Sequence, residues 1–488
     1  MARIATENAG TSDASNPAHR RRLGYFLKRV LRHERLLFWA LVIVHLIPIW
    51  AFKYLPTTDG PAHLANADVM RRINEAGPVG EVFRKYYYIS GTPSPNLAGH
   101  LILAGLMYMV PAIIAEKLVL SLYVVLLPLG MRYAARRIRP RATSIAFLAF
   151  PMTYSFLLGQ GFYNFCLSLA AFLFTVGYWF GHRSQMNARR ALGLFGLAMV
   201  LYVCHLFSLM MACGVIGMMA GWFVVVAWRK GDKAAVRSQI RMALITGAAL
   251  LPAVLPAAIF RPSTHVPWLN HDIGKSSLRE DLLGLLQFQT MVSYRKSEAL
   301  LGSALVAIFA ALTLFALMAK ARKRARSAWD VLLIAPIGLA IVYLRASDAT
   351  SIHFYIPPRV MYYAFLIMVL WLAAQPFPRV VRGAVPLFCG VLALGFAERG
   401  HELGSESRST RSARAACIRF PACRQTTDCG PSMTSALTSS PRCAGRQCMK
   451  ITGSLAAFIS AASIVQPAKA RRRSSRSSSW PIDVHTSL

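Results

Sequence analysis

Long apolar segments alternate with short basic runs along most of this chain. A bilayer-crossing helix needs about 20 largely apolar residues. By that measure the pattern predicts eleven spans, near residues 36–53, 113–134, 143–158, 162–181, 191–206, 207–228, 241–260, 299–319, 329–345, 359–375 and 383–397. The expected fold is all-α, a polytopic transmembrane helical bundle spanning 36–397. One apolar stretch, 97–110 (NLAGHLILAGLMYM), is too short to cross and is expected as an interfacial or re-entrant helix.

Basic clusters follow every second span. Arg132, Arg136, Arg137, Arg139 and Arg141 follow the second, and Arg183, Arg189 and Arg190 the fourth. Arg229, Lys230, Lys233, Arg237 and Arg241 follow the sixth, Lys320 to Arg326 the eighth, and Arg379 and Arg382 the tenth. Cytoplasmic loops carry such excess charge, so the N-terminus is expected in the cytoplasm. Residues 1–35 form a polar and then strongly basic N-terminal segment with no small-residue cleavage site after it, so the first apolar segment is expected as a retained helix. The outer face then receives a long first loop (54–112), a second long loop (261–298) and a short one (346–358).

Composition agrees with this layout. Of 488 residues, 55% are hydrophobic and 15% charged, where soluble domains carry about a quarter charged. The net charge of +35 would suit a nucleic-acid partner, but its placement in inner loops speaks for topology and against nucleic acid. Residues 405–488 carry eleven Arg and two Lys against three acidic residues, with 24 Ser and Thr and five of the nine cysteines. That aperiodic Arg/Ser/Ala/Cys/Pro text is what a frameshifted GC-rich gene yields, so 398–488 is expected to be a disordered, frameshifted tail. The four other cysteines lack metal-ligand spacing and are expected as inert buried thiols.

Candidate chemistry gathers in the outer segments. Thr57-Thr58-Asp59-Gly60-Pro61-Ala62-His63 opens the first loop. Proline suits the first helical position, and Ala62, Ala65, Val69, Ile73 and Ala76 then make an apolar stripe for an amphipathic juxtamembrane helix. His63 and Asn66 share one face of it. Asp59 can be an N-terminal cap or a carboxylate held at the membrane surface as general base or metal ligand. Further polar candidates are Asn96, His100, Gln160, Asn164 and His205. Arg261 and Arg359 stand at outer boundaries, against the cytoplasmic bias. They can bind an anionic lipid headgroup or phosphate, or simply snorkel to the interface. No P-loop, dinucleotide fingerprint, His-Glu-x-x-His or CxxC pair occurs, which speaks against nucleotide-driven pumps and zinc proteases.

These pieces together resemble the glycosyltransferase C superfamily of polytopic membrane enzymes, which includes protein O-mannosyltransferases and lipid A aminoarabinose transferases. The resemblance rests on Thr58-Asp59-Gly60-Pro61-Ala62-His63, on Pro93-Ser-Pro95-Asn96 leading into 97–109, and on the Arg-Tyr-Ala-Ala-Arg-Arg-Ile end of the second span. It implies a polyprenyl-phosphate sugar donor used on the outer face of a bacterial inner membrane. Asp59 would be the general base, with His63 in the same site and Arg359 on the donor phosphate. Asn66, Asn96, His100, Gln160, Asn164, His205 and Arg261 would line the substrate site. The turn where a second acidic residue is usual, Gly159-Gln160-Gly161-Phe162, is neutral here, so no second acid supports a divalent metal. Two other functions compete: a transporter or flippase of lipid-linked saccharide, which should show ionisable groups inside spans and internal repeats, and a non-catalytic membrane protein.

Overall fold

A computed structural model of the chain describes residues 29–55, 57–89, 94–259, 277–291, 296–345, 355–398 and 465–467. The expectations for Arg261 and for almost all of the 398–488 tail lie outside the described residues.

Among the described residues the chain is almost wholly helical. In order, the helices that matter here are α1 (Glu34–Ala51), α2 (Gly60–Arg72), α3 (Pro78–Tyr86), α4 (Ala98–Leu106), α5 (Ala112–Ile138) and the short α6 (Phe156–Gly159). They continue as α7 (Tyr163–His182), α8 (Ala188–Cys204), α9 (Leu206–Arg229), α10 (Lys233–Ile259), α11 (Leu278–Leu286), α12 (Lys296–Lys323), α13 (Ile334–Arg345), α14 (Ile356–Ala373) and α15 (Arg379–Glu398). The chain's one two-stranded pairing among these residues joins Tyr87–Ile89 antiparallel to Val465–Pro467.

Nine helices among the described residues, counting α13 together with the 3₁₀ turn Ala328–Leu333 that leads into it, are long and apolar enough to cross a membrane, and they mark an integral membrane protein. They coincide with nine of the eleven expected spans. The remaining two differ in instructive ways. At 191–206 the helix is α8, with 17 residues and a length of about 26 Å. At 143–158 no continuous α-helix forms: a 3₁₀ turn at Ile145–Ala149 and bends around Pro151 lead into α6.

That broken segment still runs back along α5. Thr143 donates to Glu34 at one end of the body (2.8 Å), and Tyr123 of α5 donates to the Thr153 carbonyl midway (3.1 Å). Non-helical backbone survives at membrane depth only where protein buries it and satisfies its polar groups. Residues 144–155 are buried throughout. Three phenols act on its backbone or reach out from it: Tyr123 on Thr153, Tyr362 of α14 on the Met152 carbonyl (2.6 Å), and Tyr154 on the His45 carbonyl of α1. Proline at 151 supplies no N–H and disfavours a helix; the tyrosines replace the missing helical bonds. The most enclosed helices are α7 and α14, and they pack with α5 around this segment.

Helix α2 also departs from its expected register. Its buried face carries Gly60, His63, Asn66, Ala67 and Val69, with Ile73 following, while Ala65 is exposed. The alanine stripe is therefore not the packing face. The cause is packing against α4, which draws the polar His63 and Asn66 inward.

Candidate functional site

The site grows from one backbone junction. The bend that leads into α2 meets the turn after α6: Thr58 N–H donates to the Gly159 carbonyl and Asp59 N–H to the Gln160 carbonyl, both at 3.0 Å. Gly161 must be glycine here. Its φ is +85°, and a Cβ would come within 2.8 Å of the Asp59 nitrogen and 3.1 Å of the Asp59 Cβ. The two segments thus touch at backbone range, fixing Asp59 beside residues 159–162.

Asp59 occupies the N-cap position of α2, yet its side chain accepts no capping hydrogen bond. The first turn instead closes through its carbonyl, which accepts from His63 N–H at 3.0 Å. Its carboxylate has no hydrogen-bonded or ion-paired partner among the described residues. Burial pushes it from 3.8 up to about 6, because desolvation disfavours the charged form. A cap or a structural salt bridge would have lowered it.

Gly60 fits between three polar groups for the same reason of space. A Cβ there would lie 2.3 Å from Thr57 Oγ1, 2.5 Å from Glu116 Oε1 and 2.7 Å from Tyr163 Oη. Tyr163 donates to Glu116 at 2.5 Å and accepts from Thr57 at 2.7 Å. A second acidic residue, Glu116 of α5, therefore stands against Gly60, the residue after Asp59, and not in the neutral 159–162 turn. The sequence signal was Glu116-Lys117 at the end of an apolar segment, since ionisable residues inside spans are functional candidates by default. Lys117 faces away, donating to the Phe52 carbonyl (2.5 Å) under the Trp50 ring. Among the described residues no group of three His, Cys, Asp or Glu is placed to hold a metal ion.

His63 is fully engaged. Its Nε2–H donates to the Gly161 carbonyl (2.8 Å), which leaves Nδ1 to accept from His100 Nε2–H (2.9 Å). Its ring stacks on Tyr163, with centroids 4.9 Å apart. His100 Nδ1 faces the Asn96 carbonyl at 3.3 Å. Two carbonyls at the ends of a two-ring chain need three N–H groups, and two neutral imidazoles supply two. The long 3.3 Å contact is the one left short. Burial, reinforced for His63 by its neighbour His100, depresses His63 to about 3 and His100 to about 4, so both rings are neutral near pH 7.

Asn164 is equally committed. Its Oδ1 accepts from Gly99 N–H (2.6 Å) and its Nδ2 donates to the Asn96 carbonyl (2.7 Å). It fastens the start of α4 to α7 across a left-handed Asn96 (φ 65°), a conformation asparagine tolerates. Asn66 is buried on α2 one turn from His63, and Gln160 contributes its carbonyl to the junction while its side chain stays partly exposed.

Arg359, in the first turn of α14, comes to the same junction from the other side. Its guanidinium lies over Phe162 and Phe165, 5.1 Å from each ring centre. Its Nε is sealed from solvent with no hydrogen-bond partner, and no carboxylate among the described residues pairs with it. His205 is within its electrostatic reach. That histidine caps α9 by accepting from Phe207 N–H (3.2 Å) and meets Phe165 edge-on at 5.1 Å. Tyr355 stands between the two charges, feeling both Asp59 and Arg359; burial and then the Asp59 charge push its phenol up. Its backbone is left-handed (φ 49°), a strained state held by the Phe156 and Phe162 rings at 5.8 and 5.1 Å.

Eight of the nine described candidates thus meet around residues 159–165, from five parts of the chain, while Asn66 is buried one helical turn from His63. The sequence carries Thr57 in the Thr57–His63 opening and Tyr163 among the outer-face polar groups beside Gln160 and Asn164, but its pattern puts neither Glu116 nor Tyr355 in the site. No known protein family, curated protein or solved structure matches the chain.

Proposed function

We propose that this protein is a membrane glycosyltransferase that moves a sugar from a polyprenyl-phosphate-linked donor to a hydroxyl acceptor at the outer face of a bacterial inner membrane. The observation that carries the proposal is a carboxylate and a largely buried guanidinium held on one junction, neither with an ionic partner among the described residues. Burying either charge without a counterion is costly; a ligand that supplies the opposite charge or a proton removes that cost.

Asp59 is the general base. With a pKa near 6 it is ionised at neutral pH and still basic enough to take a proton from an acceptor hydroxyl. The hydroxyl oxygen attacks the anomeric carbon as the carbon–oxygen bond to the polyprenyl phosphate breaks. Arg359 receives the departing phosphate, whose charge it matches. His63 is a positioning residue: with both ring nitrogens occupied it orients the Gly161 carbonyl, and through it the turn that carries Gln160 and Phe162. Glu116 and Tyr163 hold Thr57 and the Gly60 turn against Asp59.

A base and a phosphate-binding cation on one face also favour an enzyme over a transporter, which needs ionisable groups at midplane. The proposal includes the remaining two crossings, α8 and the broken 143–158 segment, giving eleven with the N-terminus inside. The test is a panel of polyprenyl-phosphate sugars offered to purified protein in nanodiscs, with release of free polyprenyl phosphate as the readout. Turnover of at least one donor, lost in Arg359→Gln, is expected. Binding of donors with no release in the wild type would contradict an enzyme.

A further inference from the structure

At the opposite end of the helical body, α1 and α5 enclose a second cationic site, independent of the reaction proposed above. A cavity of about 760 Å³ opens there, within the range of about 300–1,000 Å³ for ligand-holding clefts. Four arginines line it: Arg35 from α1, and Arg132, Arg136 and Arg137 from the last two turns of α5. Its remaining wall is apolar and aromatic, formed by Phe38, Trp39, Leu129, Tyr133 and Phe174.

Two of the four cations are fixed in place. Arg132 pairs with Glu34 at 2.8 Å and lies over the Phe38 ring at 4.7 Å. Arg137 lies over Tyr133 at 5.0 Å, and its stem rests on Gly181, where a Cβ would come within 2.9 Å of its Cδ. Glu34 neutralises one charge. Arg35, Arg136 and Arg137 have no carboxylate partner among the described residues. Arg132 and Arg137 are held by rings at the cavity wall, and the unpaired Arg35, Arg136 and Arg137 remain exposed at its mouth, open to a ligand.

We propose that this cavity binds the headgroup of an anionic phospholipid. The guanidinium forks match a phosphodiester, and basic pockets between helices at a membrane boundary select acidic lipids. The wall of Phe38, Leu129 and Phe174, with the exposed Trp39, suits the glycerol and the first acyl carbons. A free phosphate would use the arginines and leave that wall bare.

The test titrates phosphatidylglycerol into protein held in a neutral detergent, with bound lipid counted by native mass spectrometry. The wild type should hold one phosphatidylglycerol per chain in preference to phosphatidylcholine. Arg35→Gln/Arg136→Gln/Arg137→Gln should weaken this on the order of 100-fold. A control triple, Lys320→Gln/Arg322→Gln/Lys323→Gln, removes the same charge elsewhere and should bind as the wild type does. Leu129→Trp, which fills the cavity and leaves every arginine, should also lose the lipid. Equal loss in the control, or full binding in Leu129→Trp, would overturn the site. Displacement of the lipid by equimolar inorganic phosphate would overturn the lipid and leave a phosphate.

Discussion

Glu34 with Arg132 and Asp59 with Arg359 are the same residue types put to opposite uses. In the first pair the partners meet at 2.8 Å, Thr143 donates to the second carboxylate oxygen at 2.8 Å, and the guanidinium lies over Phe38. Every strong valence is answered, and the result joins α1, α5 and the start of the broken segment. In the second pair each charge sits on the Gly159–Phe165 turn without the other and without any other counterion among the described residues. Residue type is the same in both pairs, and what differs is whether each charge is answered. Under the proposed function the open pair is the one that awaits a ligand.

The sharpest way to break that contrast is to remove the open carboxylate. Asp59→Asn should lower sugar transfer by about 10²–10⁴-fold, the usual contribution of a general base, measured as release of polyprenyl phosphate. Arg359→Gln should follow, at roughly 10²–10³-fold, with part of the loss in donor KM. Its thermal unfolding midpoint should not fall, because loss of the contacts with Phe162 and Phe165 is offset by removal of a buried charge without a counterion. The fastened pair predicts the reverse. Glu34→Gln leaves Arg132 without its countercharge, with both side chains only 14% exposed. It should cost about 3 kcal/mol of stability, read from unfolding in detergent, while transfer per folded molecule stays unchanged. Asn164→Leu belongs with it at smaller size: the orphaned Gly99 N–H and Asn96 carbonyl should cost about 1–3 kcal/mol. Smallest is the pH effect on the wild type, whose transfer should rise with pH and reach half its maximum near pH 6, where Asp59 ionises.

The fold was legible where composition decides it. Nine uninterrupted apolar segments became nine long helices, since length and hydropathy are what a membrane reads. The 143–158 segment misled because hydropathy is blind to backbone: its apolar residues are buried, but Pro151 and the distant Tyr123 and Tyr362, which bond its backbone, accompany a non-helical course. The α2 register misled because a stripe of alanines is a weak packing face, and a histidine with two well-placed partners outweighs it. Candidate polar residues were visible as types, and eight of the nine described ones meet. Their division into committed groups (His63, Asn164, His205) and open ones (Asp59, Arg359) was not visible, because it depends on hydrogen bonds across 37 to 98 positions of sequence. Glu116 stands in the sequence only as one acidic residue near the end of an apolar segment, and it becomes a site residue through Tyr163 and Gly60, which the fold brings to it.

The central claim is that Asp59 is held ionisable for chemistry at some expense to folding. Burial raises its folded pKa above the unfolded value, so the folded state holds the proton more tightly. Stability therefore falls as pH rises from about 4 to about 6, and the penalty persists above that. The direct measurement is the unfolding midpoint of Asp59→Asn against wild type at pH 8 and at pH 4, alongside transfer at pH 8. The account predicts a variant without transfer whose midpoint equals or exceeds that of wild type at pH 8, a margin that disappears at pH 4. A variant that is destabilised at pH 8, or that folds and transfers sugar at the wild-type rate, would contradict it.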